Sequence, residues 1–199
     1  MKRHPSLAIV TAIVLFSLPL KAKSEHCDEK HWNQALAAQG ILDSRYNDHA
    51  KLFNQFLTVY RSRVFLHDEF TEAQLDSFWQ PGKVDLQKMM TMQYRSSLQA
   101  QSQLEQQIKQ LSDFLPRADQ SRLSWLSLQQ HCQSASQTIN AQAASRYVTS
   151  NVALKQDIEL LIAKLRQLKT KYTREAEVLV RVHPQLADEV NTTDREKSP

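Results

Sequence analysis

The chain has 199 residues, with 25 Lys and Arg set against 21 Asp and Glu, two cysteines and only two glycines, Gly40 and Gly82. Tight hairpins need residues that accept positive φ, so such glycine poverty excludes a fold built on short strands and points to an all-α chain. The length suits one domain, and the basic excess is confined to the amino terminus, where Lys2, Arg3, Lys21 and Lys23 occur with no acid.

Lys2 and Arg3 precede an uncharged run from Leu7 to Leu20, 14 residues long. A membrane-spanning helix needs about 20 apolar residues. With Ala22 and Ser24 as small residues before a cut at Glu25, residues 1–24 read as a signal peptide, residues 25–182 as a single helical domain and residues 183–199 as a disordered tail. Without the four leader cations, 21 basic residues balance 21 acidic ones. Nucleic-acid binding, which needs concentrated positive charge, is therefore not expected. No second apolar stretch reaches membrane length, so no transmembrane segment is expected after cleavage.

The stretch "SEHCDEKHW", residues 24–32, poses the first chemical question. Cys27, Asp28 and His31 share a helix face, but a closed zinc site takes four ligands and no second cysteine lies nearby. The other cysteine, Cys132, is also preceded by a histidine. A Cys27–Cys132 disulfide is the economical reading for a secreted chain; a metal site from His26, Cys27, His131 and Cys132 is the alternative. The bridge would require the start of the first helix to neighbour the fourth segment.

From Trp32, the residues Leu36, Tyr46, Phe53, Phe56, Leu57, Tyr60 and Val64 keep helical spacing, so a helix, or a pair broken near Gly40 or Asp43-Ser44, is predicted over residues 29–66. In "FLHDEF", His67, Asp68 and Glu69 read as solvated residues at a helix end. Thr71 and Gln74 have capping-box spacing and open a short helix to Trp79, before the Pro81-Gly82 turn.

A third segment begins near Asp85 and carries Leu86, Met89, Met90, Tyr94 and Leu98, then Leu104, Ile108, Leu111 and Leu115 in steps of 4, 3 and 4, the spacing of a seam against a partner helix. Met89 and Met90 read as core filler and not as copper ligands. Pro116 is predicted to end this helix. Another is predicted from Asp119 or Ser121 through Leu123, Leu126, Cys132, Ile139 and Tyr147.

The strongest pattern runs through Tyr147, Asn151, Leu154, Ile158, Leu161, Leu165, Leu168 and Tyr172, alternating steps of four and three. Asn151 either marks a helix end within Thr149-Ser150-Asn151 or lies buried on the seam, where it would fix register. Around this seam lie five cations without an acid, Lys164, Arg166, Lys169, Lys171 and Arg174. Residues 67–76 hold four acids, Asp68, Glu69, Glu72 and Asp76, and no Lys or Arg. Each run reads first as a solvated face; the sharper reading is that the two runs dock on each other, or that the cations meet an anionic partner.

The expected architecture is an elongated antiparallel helical bundle of four to five helices with a coiled-coil element. No Gly-x-Ser-x-Gly elbow, phosphate loop, Cys-x-x-Cys or His-Glu-x-x-His occurs, so no catalytic, metal or cofactor site is predicted. The functional expectation is a secreted or periplasmic non-enzymatic binding or assembly protein. Its partner would be an envelope protein or a second copy of itself, with peripheral membrane contact through the five cations as a further option. A holdase-like chaperone or sensor domain is the alternative, and a metal-binding protein the weaker one.

Overall fold

The computed structural model describes residues 27–188. The expected signal peptide, His26 of the alternative metal set, and the tail beyond Asp188 lie outside the described residues. Five helices follow in order: α1 (Glu29–Ser62), α2 (Leu66–Glu69), α3 (Glu72–Ser77), α4 (Val84–Ser134) and α5 (Thr138–Val182). Among the described residues there is no strand, and no helix is long and apolar enough to cross a membrane.

The two long helices form the spine. α4, at 51 residues, and α5, at 45, pack along each other as an antiparallel pair; at 1.5 Å per residue they extend about 76 and 68 Å. The α5 seam falls where its spacing predicts: Leu154, Ile158, Leu161, Leu165, Leu168 and Tyr172 are buried, against Leu104, Ile108, Leu111, Phe114 and Ala118 of α4 in one cluster. The helix is continuous through Thr149-Ser150-Asn151, and Asn151 is only 1% exposed, so it is a seam residue and not a helix end.

Pro116 does not end a helix. It lies on the exposed face of α4, so the Ser112 carbonyl that loses its i+4 donor is not sealed in the core. Burial of Leu111, Phe114, Ala118, Ser121 and Trp125 on either side carries the helix through. The buried stripe shifts at this point from Leu111 to Phe114, leaving Leu115 half-buried. The stripe beyond it is Ser121, Trp125, Leu128 and Cys132; Leu123 and Ile139, expected on the apolar face, are 50% and 82% exposed. The break instead comes at Ala135–Gln137, where Ser136 takes φ 58° without a glycine.

α1 lies along the spine, antiparallel to α4 and parallel to α5. The contacts Cys27–Cys132, Gln39–Ser121, His49–Gln107 and Arg63–Ser96 give its register on α4. Asp28 caps its start by accepting from the His31 N–H at 2.9 Å, and neither Gly40 nor Asp43-Ser44 interrupts it. That hydrogen bond to the backbone, reinforced by the His31 side chain, holds the Asp28 carboxyl below its ordinary pKa. The helix ends at Ser62, four residues short of expectation.

Residues 63–83 cross the end of the spine. Thr71 and Gln74 form the expected capping box at the start of α3, and Gly82, at φ 89°, makes the turn into α4. Leu66, Leu75, Met90, Tyr94, Leu179 and Leu186 make a second core here. Met89, expected in that core, is 40% exposed because it lies one position off the Met90–Tyr94 stripe. Trp79 stacks on His183, ring centroids 3.7 Å apart, and Leu186 is fully buried, so the chain beyond His183 packs on the domain before the described residues end.

Two exposed helix positions carry avoidable cost. A Cβ at Gly40 would meet nothing within 4 Å, so Gly40→Ala should add about 0.5–1 kcal/mol. Pro116→Ala should add up to about 3 kcal/mol. Both are read from urea midpoints at unchanged slope, which separates a stability gain from a change in compactness.

Candidate functional site

Polar side chains are buried at both ends of α1. At the crossover end, the next seam step after Tyr172 lands on Glu175, which is fully buried. Its carboxylate accepts four hydrogen bonds. Oε1 takes the Leu66 N–H at 2.9 Å and Gln93 Nε2 at 2.8 Å; Oε2 takes the His67 N–H at 3.1 Å and His67 Nδ1 at 2.5 Å. α2 has no side-chain cap of its own, so Glu175 caps it from across the molecule, with its negative charge at the helix start. A carboxylate has about four acceptor sites and all four are used.

Gln93 extends the cluster. Its Nε2 also donates to the Val64 carbonyl at 2.8 Å, while its Oε1 accepts from Arg63 Nη2 at 3.0 Å. The same Arg63 nitrogen reaches the Gln93 carbonyl and the Ser96 and Ser97 hydroxyls. The guanidinium lies 5.2 Å from the Tyr172 ring centroid and 5.7 Å from that of Phe65, in cation–π range. Burial pushes the Tyr172 phenol above its ordinary pKa, with Arg63 pulling the other way.

His67, read from sequence as solvated, has a side chain only 1% exposed. The remaining ring nitrogen, Nε2, lies 3.2 Å from Asp68 Oδ1 but makes no hydrogen bond. A histidine oriented by a carboxylate is the arrangement of a general base. A base must also reach a substrate, and here both members of the pair are enclosed. The cluster therefore joins the end of α1, α2, α4 and α5.

The second cluster lies toward the disulfide end. Gln39, 4% exposed on α1, presents Oε1 to three donors: Asn151 Nδ2 at 2.7 Å, Ser121 Oγ at 3.1 Å and Trp125 Nε1 at 3.2 Å. Its Nε2 donates to Asp43 Oδ1 at 2.9 Å. One amide thus ties α1 to both spine helices. Trp125 stacks on Tyr147 with centroids 4.1 Å apart and meets Trp32 edge-on at 5.3 Å. Beyond it, Cys27 and Cys132 stand at disulfide distance, Sγ atoms 2.02 Å apart, closing a sequence separation of 105 residues. Among the described residues, no three His, Cys, Asp or Glu side chains gather to hold a metal ion.

Comparison with protein families, curated proteins and solved structures gave no match.

The five sequence-predicted cations do not form one surface. Lys169 is half-buried and ion-paired with Glu105 of α4, and with Arg166 it lines one α4–α5 groove. The Lys169 ammonium accordingly holds the Glu105 carboxyl below its ordinary pKa. Lys164, Lys171 and Arg174 are exposed elsewhere around α5. The acidic run does dock on α5, but at Arg181, which pairs with Glu72 at 2.6 Å, and not at these cations. Glu175 and Gln39 were missed by sequence reasoning. Extending the four-three spacing one step past Tyr172 reaches Glu175, and Gln39 lies midway between Trp32 and Tyr46 on the seven-residue repeat that continues to Phe53 and Tyr60.

Glu175→Gln should turn an amide toward donors that need an acceptor, at about 1–3 kcal/mol. Hydrogen exchange should rise across residues 64–79 while the middle of α5 stays protected. Gln39→Leu leaves Trp125 Nε1, Ser121 and Asn151 without their shared acceptor, and should lower stability by about 2–3 kcal/mol in a urea titration.

Proposed function

We propose that the chain is a secreted or periplasmic, non-enzymatic binding or assembly protein: a helical bundle with a coiled-coil element that presents long helical surfaces to an envelope partner. The observation that carries this reading is where the polar chemistry is spent. Glu175, His67, Gln39 and Asn151 bond between helices, and none of the four lines the crevice between α1 and α4 or the Arg166–Lys169 groove. What the protein offers outward is length, with exposed cations along α5.

The bridge between Cys27 and Cys132 suits an oxidising compartment, in keeping with export. Lys164, Lys171 and Arg174 are exposed, and the chemistry that meets them is an anionic protein surface. The chaperone reading draws on Val84, Met89 and Met92, which are 68%, 40% and 60% exposed. It is the weaker one, because Met90 and the aromatic Tyr94 beside them are buried.

Crosslinking in intact cells, followed by mass spectrometry of what is attached, tests the proposal. Wild type should capture a defined envelope protein, and Lys164→Glu, Lys171→Glu and Arg174→Glu together should lose it without changing the thermal midpoint. A broad set of clients unaffected by these substitutions would support the chaperone reading instead.

A further inference from the structure

The flank of α1 that faces away from α5 carries a second periodic stripe. Gln34, Ala38, Ile41, Arg45 and Asp48 continue to Val59 in steps of four and three, one position off the stripe that packs on the spine. α4 carries a matching flank from Ser96 and Gln99 through Asp113 and Arg117 to Ser124 and Ser127. Between the two stripes runs one open crevice, in three stretches of about 510, 350 and 540 Å³. Ile41, between the first two stretches, is 57% exposed, and Val59 in the third is 56% exposed. Two facing heptad-spaced flanks leave room for ridges of another helix, as in packing between bundle helices.

The charges say which helix. The outer stretches are lined chiefly by Gln, Ser and small apolar residues. The middle stretch holds Arg45 and Asp48 from α1 with Asp113 and Arg117 from α4, two of each sign. Such a balanced set at the midpoint is complementary to itself: a two-fold contact places the same patch against itself, so residue i meets j and j meets i. The antiparallel register, given by Gln39–Ser121 above and His49–Gln107 below, puts Arg45 nearly level with Asp113, and Arg117 level with a point just before it. An axis crossing the crevice beside Arg45 sets Arg45 against Asp113 of a second copy and Asp48 against Arg117, each twice. Asp48 has an exposed Lys51 ammonium at 3.9 Å, a loose pairing that yields at little cost.

We infer that the α1–α4 crevice is a self-association surface, on which a second copy of this chain docks in antiparallel fashion with α1 of each over α4 of the other. The seam is mostly Gln and Ser with few apolar knobs, so the dimer is reversible and sensitive to salt. This surface is distinct from the exposed cations of α5. Failure of the dimer leaves the envelope-partner reading standing, and failure of the capture experiment leaves the dimer standing.

Sedimentation velocity of the purified oxidised domain across a concentration series tests it. Wild type should shift from monomer to dimer, and the shift should weaken in high salt. Asp48→Arg with Asp113→Arg places only arginines at the axis; Arg45→Asp with Arg117→Asp places only aspartates. Each double variant should dimerise at least about a hundredfold more weakly, with its helical circular dichroism unchanged and its thermal midpoint matching wild type at concentrations where wild type is monomeric, because all four side chains are exposed. An equimolar mixture of the two should recover the dimer as a hetero-pair. A wild type that stays monomeric at every concentration would assign the crevice to a helix of another protein and overturn the inference, as would a dimer indifferent to both charge reversals.

Discussion

Leu154, Ile158, Leu161, Leu165 and Leu168 of α5 meet Leu104, Ile108, Leu111 and Ala118 of α4 along one seam, and the other elements are placed by it. At about 1.5–3 kcal/mol for each large apolar side chain fully buried, this row outweighs any local preference along the chain. It carries α4 through Pro116, where a solitary helix would kink or stop. It also holds α5 helical through Thr149-Ser150-Asn151, residues that favour caps and turns when left to themselves. A helix pair this long could slide or fray at its ends, and the remaining interactions are distributed where that risk is greatest.

α1 is tied at each end. The Cys27–Cys132 bridge and the Trp32, Trp125 and Tyr147 rings hold its beginning, while Arg63 and the Glu175 cluster hold its end and the crossover that follows. Between these points lie Leu52, Phe53, Phe56, Leu57 and Tyr60, all half-buried. That partial burial is why α1 leaves an open flank beside α4. Without the end clamps α1 would be kept in place chiefly by buried Leu42 and these half-buried side chains.

The sequence made the apolar part of this legible and hid most of the polar part. Leucine and isoleucine at steps of four and three announce a seam, and two cysteines in a chain read as exported announce a bridge. Asn151 and Glu175 occupy the same periodic positions, but polar residues there read as interruptions until a partner is known. Those partners lie far off in sequence: 112 residues separate Asn151 from Gln39, and 108 separate Glu175 from His67. His67 was read as solvated because it sits among the polar neighbours Asp68 and Glu69 at a helix end, while the carboxylate that buries it, Glu175, is distant in sequence. The α4–α5 turn was hidden because the usual marker is missing: Ser136 takes the left-handed conformation that glycine would have advertised.

The polar clusters answer a problem the seam creates. A heptad row of similar aliphatic side chains is nearly self-similar, so sliding α5 along α4 by seven residues would rebury much of the same apolar surface. Hydrophobic burial alone discriminates poorly between such registers. Moving Asn151 from Gln39 would leave its amide only the Tyr147 carbonyl of its own helix, and moving Glu175 from the Leu66 and His67 N–H groups would leave a charge enclosed without these partners. A buried, uncompensated charge costs several kcal/mol. Displacement of α5 therefore meets a penalty at both clusters even where the aliphatic contacts are replaced. The seam supplies the stability and the two clusters select one alignment of it, while the Cys27–Cys132, Gln39–Ser121 and His49–Gln107 contacts bring the α1 and α4 flank stripes level along their common crevice.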